Sequence, residues 1–258
     1  MPKELGILVL HGMGSQATDY AEPMIKEVKR RLGDNAARIA WEPVYYADVV
    51  EESELRYLRE VNDQGLDFWS LRKFIVKALG DAVAYQQPQG AENDAYRKIN
   101  ERVNHSMQRL RAALGDPDKP LIVMAHSLGC VVASNYIWDV QRGKWPDLDD
   151  FTSFKTLNTL VTFGSNLPLF SFAYAEPVAI ALPEGAKWYN YYDKDDVLGF
   201  PLKPISTSYE QAVTADIQIN VGGIATSWNP ASHTDYWTDN DFTKPVTRHI
   251  EAVLQSLG

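Results

Sequence analysis

The chain has 258 residues, 45% hydrophobic and 23% charged, a balance that excludes a disordered or fibrous polypeptide and suits a single α/β unit. Its 25 Lys and Arg against 34 Asp and Glu leave a net charge of −9, with no basic run longer than Lys29-Arg30-Arg31, which argues against partners such as bare nucleic acid or anionic membranes. One Cys excludes an internal disulfide and a cysteine-based zinc site, and it fits a reducing compartment.

The first element is the apolar run Leu5–Leu10, which ends in His11-Gly12-Met13-Gly14. It is too short for a membrane helix, follows Glu4, and enters a Gly-rich turn without a cleavage-like site. It therefore reads as a strand buried on both faces, and the protein as soluble and cytoplasmic, with no membrane span. Residues 19–32 place Met24, Ile25, Val28 and Leu32 at helical spacing, with Gly33 as a stop. Residues 38–46 read as a second strand, which Pro43 assigns to a sheet edge.

Two helical patterns follow. Phe68, Leu71, Ile75, Leu79 and Ala82 form one stripe; Tyr96, Ile99, Val103, Met107, Leu110 and Leu114 form a second, stopped by Gly115-Asp116-Pro117. Residues 121–125 are a short buried strand and 131–140 an apolar helix. Leu157–Phe163 and residues 188–192 are further strands, and residues 212–221 alternate with Val213, Ala215, Ile217, Ile219 and Val221 on one face. A last helix is predicted from Pro245, with Val246, Ile250, Val253, Leu254 and Leu257 at helical spacing. Strands alternating with helices predict an α/β fold: a mostly parallel sheet with helices on both faces, in one domain over 1–258.

The chemistry concentrates in Ala125-His126-Ser127-Leu128-Gly129, between a buried strand and an apolar helix. A nucleophilic Ser must be raised on a sharp strand-to-helix turn, which demands small residues around it; Ala125 and Gly129 supply them. The helix that follows aims its amide dipoles at Ser127 and favours negative charge there. The loop His11-Gly12-Met13-Gly14 follows the first strand, where such an architecture supplies one oxyanion-hole amide, assigned to Met13 or an immediate neighbour; the amide of Leu128 supplies the other. A dinucleotide-type phosphate loop is the rival reading of the glycines. It fails because no acidic residue closes a second strand at about 20 residues further on.

Of the five histidines, His105 and His249 lie off the apolar stripes and read as solvated. His11 belongs to the Gly loop, and His126 lies inside the turn, where it packs or hydrogen-bonds. His233, in a loop after the last strand, remains as the base. The carboxylate that orients it comes from Asp193, Asp195 or Asp196, after the strand at 188–192. Asp196 is preferred because Val197-Leu198 beside it turn the chain inward; Asp193 is the main alternate, and at least two of the three are expected to be a solvated acidic turn. The run lacks the spacing of a calcium loop, and no metal site is expected.

The order Ser127, Asp196, His233, with a Gly loop ahead of it, resembles the α/β-hydrolase superfamily and, within it, lipase- and esterase-like serine hydrolases. The resemblance rests on residues 7–14, 125–129, 193–198 and 232–233. Ala125 departs from the commoner first Gly of the turn. The resemblance implies hydrolysis of a carboxylic ester or related acyl compound through an acyl-enzyme, without a cofactor, on a small-molecule substrate. An acyltransferase or thioesterase would use the same residues, and a non-catalytic binding protein would be expected to lose one of them. Residues 47–93 resemble a cap or lid insertion. Phe68, Trp69 and Phe74 there, with His11 and Gly12, are the expected substrate-binding residues.

Overall fold

Strands β1 (Leu5–Leu10) and β3 (Leu121–His126) are buried at every position, the condition under which a parallel strand reads as an unbroken apolar run. The computed structural model describes residues 2–12, 16–49, 57–58, 80, 84–85, 94–222 and 232–258. In it, β1 and β3 are joined by β2 (Ile39–Val44), β4 (Leu157–Phe163), β5 (Lys187–Asp193) and β6 (Ala215–Ile219). They form one open six-stranded sheet in the order β2-β1-β3-β4-β5-β6, and every pairing is parallel. Pro43 stands opposite Val9 in β2, at the sheet edge, where a missing N–H is tolerated.

Alternate side chains of the strands feed two cores. Leu8, Leu10, Leu121, Val123 and Leu160 pack with α2 (Asp94–Leu114) and α3 (Leu128–Gln141). Leu5, Ile7, Val9, Ile122, Met124, Val161 and Phe163 pack on the other face with α1 (Glu22–Leu32) and α7 (Asn240–Ser256). Each such side chain contributes about 1.5–3 kcal/mol by leaving water. The architecture is thus α/β, a parallel sheet covered by helices on both faces. Short helices α4 (Leu167–Ser171), α5 (Thr207–Ala212) and α6 (Ser232–Asp235) lie in the connections. Among the described residues no helix is long and apolar enough to cross a membrane.

Several sequence expectations are corrected. The last helix starts at Asn240, because Asp239 caps it by accepting from the Asp241 amide at 2.7 Å; Pro245 lies inside the helix. The strand expected over 212–221 shrinks to β6. Val213 packs in one core and Val221 in the other, so they do not share a face. His249 is half-buried, stacked on Tyr189 with ring centroids 4.0 Å apart and hydrogen-bonded to the Tyr191 hydroxyl at 2.7 Å. Its ring is turned onto β5 instead of into water. In the 47–93 segment, Tyr85 is fully buried, stacked on Tyr96 and donating to Asn100 Oδ1 at 3.2 Å. Phe68, Trp69 and Phe74, the other stripe residues Leu71, Ile75, Leu79 and Ala82, and the loop residue Met13 lie outside the described residues.

The chain crosses to β2 on one side of β1 and to β3 on the other. The chain therefore leaves β1 and β3 in opposite directions at the C-terminal ends of neighbouring strands, the position at which parallel sheets place their ligands.

Candidate active site

Ser127 follows the last residue of β3 and is the N-cap of α3. Its backbone takes φ 54° and ψ −125°, a conformation L-residues avoid, and its amide donates to the Phe163 carbonyl at 3.1 Å. The strand is held in register with β4 up to this residue, then reverses within one residue into the helix. That reversal presses α3 against β1: a Cβ on Gly129 would stand 2.5 Å from the His11 carbonyl oxygen, and one on Gly12 would stand 2.6 Å from the Ser127 Cβ. Only glycine fits at either position.

The hydroxyl of Ser127 lies 2.7 Å from His233 Nε2. On the other side of the same ring, Nδ1 lies 2.9 and 3.0 Å from the two carboxylate oxygens of Asp196. Because the carboxylate only accepts, Nδ1 carries hydrogen and Nε2 is free to accept from the serine. All three residues are buried. The structure thus brings together Ser127, Asp196 and His233 from the ends of β3 and β5 and from α6.

Asp196 also accepts from the Leu198 amide at 3.0 Å and from the Tyr236 hydroxyl at 3.0 Å. Burial opposes its charge, but His233, the Leu198 amide and Tyr236 outweigh it and hold the carboxyl below its usual range. Tyr236 accepts in turn from the Asp193 amide at 2.9 Å. Its own ionisation is pushed far up, by burial first and then by Asp196, so it stays a donor.

The other two acids have different surroundings. Asp193 is buried, its oxygens accepting from the amides of Asp195 at 2.8 Å and Val221 at 2.6 Å. Asp195 pairs with Lys194 at the surface. Only Asp195 is therefore a solvated acid, against the expectation of at least two.

His11 and Gly12 follow β1 and are both buried, Gly12 against Ser127. The Tyr46 amide donates to His11 Nε2 at 3.2 Å, so Nδ1 bears the hydrogen and donates to the Gly12 carbonyl at 2.7 Å. The Tyr46 hydroxyl donates to the His11 carbonyl. Burial lowers the His11 pKa to about 4, so the ring is neutral at ordinary pH. The ring is buried, with 1% of the residue exposed. Leu128 opens α3, and its amide is one of those a helix leaves without an internal acceptor. The buried Cys130 thiol is pushed up to about 12 by burial and is no nucleophile. Among the described residues, no group of three or more His, Cys, Asp or Glu is arranged to hold a metal ion.

Sequence reasoning missed Tyr236 and Tyr46. Tyr236 stands three residues after His233, about one helical turn, so a base on the first turn of α6 brings a tyrosine at this spacing to the same side. Nothing in the sequence around Tyr46 marks it.

No protein-family model matches the chain, and no curated protein matches it. Solved structures similar to it include a hydrolase of the alpha/beta superfamily from Xanthomonas campestris pv. campestris, at 14% identity over 94% of this chain and 98% of that one, with a TM-score of 0.45. Esterase PE8 is similar at 11% identity, 98% and 94% coverage and a TM-score of 0.47. Alpha/beta hydrolase domain-containing protein 10 from mouse is similar at 9% identity, 98% and 90% coverage and a TM-score of 0.45.

Proposed function

We propose that the protein is a serine hydrolase of the α/β-hydrolase type that cleaves a carboxylic ester or related acyl compound of a small-molecule substrate. The observation that carries this reading is the His233 ring, which bridges Ser127 Oγ at 2.7 Å and the Asp196 carboxylate at 2.9 Å. A serine with an adjacent base, and that base oriented by a third group, is the arrangement that activates a hydroxyl.

In the first step Ser127 Oγ attacks the acyl carbonyl while His233 Nε2 accepts its proton, and Asp196 stabilises the imidazolium that forms. Negative charge on the carbonyl oxygen is met by the Leu128 amide at the positive end of α3, with Met13 as the proposed second donor. Collapse expels the alcohol, which takes its proton from His233. Water then attacks the acyl-serine by the same route in reverse. Residues 47–93, with Phe68, Trp69 and Phe74, are proposed to supply the apolar surface that sets acyl preference.

The test is labelling with a fluorophosphonate, alongside hydrolysis of 4-nitrophenyl esters of increasing chain length. Wild-type protein is expected to label and Ser127→Ala to lose both label and turnover. Equal labelling of the two proteins overturns the reading.

A further inference from the structure

We propose that His126 is a positioning residue: its Nε2–H holds the main-chain carbonyl of His233 and so fixes how deeply the His233 ring reaches toward Ser127. This role rests on the serine-hydrolase reading above. His126 Nε2 lies 2.7 Å from the His233 carbonyl oxygen. A carbonyl only accepts, so the hydrogen is on Nε2 and Nδ1 is a bare lone pair. Nδ1 is buried and has no hydrogen-bond partner among the described residues. The ring's only hydrogen bond there is thus spent on the backbone of the residue that acts as base.

The setting makes the choice of histidine informative. His126 is 2% exposed, and its ring packs among those of Phe163, Tyr236, Trp237 and His233, with centroids 5.0, 5.8, 5.3 and 4.8 Å away. A hole lined by aromatic rings is filled at lower cost by a phenylalanine than by an imidazole with one orphaned nitrogen. What a phenylalanine cannot do is donate to the His233 carbonyl. That carbonyl belongs to α6, whereas His126 ends β3 and is joined covalently to Ser127. The hydrogen bond therefore ties the strand that carries the nucleophile to the element that carries the base. Burial, reinforced by His233, depresses the His126 pKa far below its ordinary value, so the donor survives acidification without the ring gaining charge.

The experiment compares His126→Phe, His126→Gln and wild type, using 4-nitrophenyl acetate turnover and the rate of fluorophosphonate labelling. Gln carries an N–H at about the reach of Nε2; Phe fills the space without one. His126→Phe is expected to lower kcat and the labelling rate by roughly ten- to a hundredfold with KM within about twofold, since a lost positioning contact acts on the transition state. His126→Gln is expected to recover most of the loss. In wild-type protein, the imidazole nitrogen resonances of His126 are expected to report a protonated Nε2 and a bare Nδ1 between pH 5 and 8. A folded His126→Phe protein with wild-type kcat overturns the role, as does a His126 resonance pattern with the proton on Nδ1. The resonance measurement decides even where the Phe variant does not fold. If wild-type protein neither labels nor hydrolyses the ester, the hydrolase reading fails, and this role with it.

Discussion

Gly129 packs so closely on His11 that a Cβ there would stand 2.5 Å from the His11 carbonyl oxygen and 3.0 Å from that of Leu10. Both neighbours are backbone of the strand end that carries the Gly loop, so neither can swing aside. Gly129→Ala must push the start of α3 away from β1. The expected loss is about 1–3 kcal/mol, with a fall in turnover because Ser127 moves with the helix. Denaturant unfolding and ester hydrolysis check this, and a variant equal to wild type in both contradicts the packing.

The three acids after β5 should separate by mechanism. Asp196→Asn removes the acceptor that fixes the His233 tautomer, and turnover is expected to drop by about three to four orders of magnitude. Asp193→Asn sets an amide against two N–H donors and should cost roughly 1–3 kcal/mol of stability, with a smaller loss of rate. Asp195→Asn breaks an exposed pair and should change neither by much. If Asp193→Asn slowed turnover most, Asp196 would not be the orienting carboxylate.

Tyr236→Phe removes one hydrogen bond to Asp196 and leaves the Asp193 amide without its acceptor. About 1–3 kcal/mol of stability should go, and the Asp196 carboxyl should titrate higher because one of the groups favouring its charge is gone. Carboxyl carbon resonances followed through a pH titration measure the second effect. An unmoved Asp196 would show that Tyr236 merely fills space.

What the sequence made legible follows from how much each signal depends on the chain alone. Leu5–Leu10 and Leu157–Phe163 are strands at their expected bounds, the first because it is an unbroken apolar run that ends at a Gly-rich turn, the second because it is rich in branched and aromatic residues and ends at Gly164. Ser127, Asp196 and His233 stood out because each sits at an element end in a recognisable order. Asp193 was misread as solvated because its partners are amides of Asp195 and Val221, and backbone donors leave no trace in a sequence. His249 was misread for a related reason. It lies beside the apolar stripe of α7, and only the approach of Tyr189 and Tyr191 makes its face an interior one. The roles of His126 and Tyr236 rest on contacts across 107 and 40 residues, beyond any local pattern.

The pH dependence of stability has a definite sign. Burial holds the His11 pKa near 4 against an ordinary 6.5, so between these values the unfolded chain binds a proton that the folded chain refuses. Stability is full above about 6.5 and is lost as pH falls toward 4, by about 3 kcal/mol for this ring. Buried His126 adds in the same direction, and Asp196, whose carboxyl is held low, contributes stability that is lost at still lower pH. His11→Gln should flatten the curve of unfolding free energy between pH 6.5 and 4. An unchanged slope would mean the His11 ring is not held neutral.

Ser127 holds its strained backbone at φ 54° and ψ −125° in a fully buried turn, with no side-chain cap bond to compensate. Such conformations cost roughly 1–3 kcal/mol for a residue with a Cβ and almost nothing for glycine. Ser127→Gly and Ser127→Ala both delete the hydroxyl and the contact with His233 Nε2, so comparing the two isolates the strain. The glycine variant is expected to be more stable than the alanine variant by about 1–2 kcal/mol, which for a chain of this size raises the melting temperature by roughly 2–8 °C. Neither should label with a fluorophosphonate. The glycine variant also gains unfolded-state freedom worth up to about 1 kcal/mol, which works against the expected difference. An excess in its favour therefore reports strain relief in the folded state. Equal melting temperatures would place the cost of the turn near that entropy, whereas a more stable alanine variant would show that the surrounding packing, and not the serine, sets the conformation of the turn.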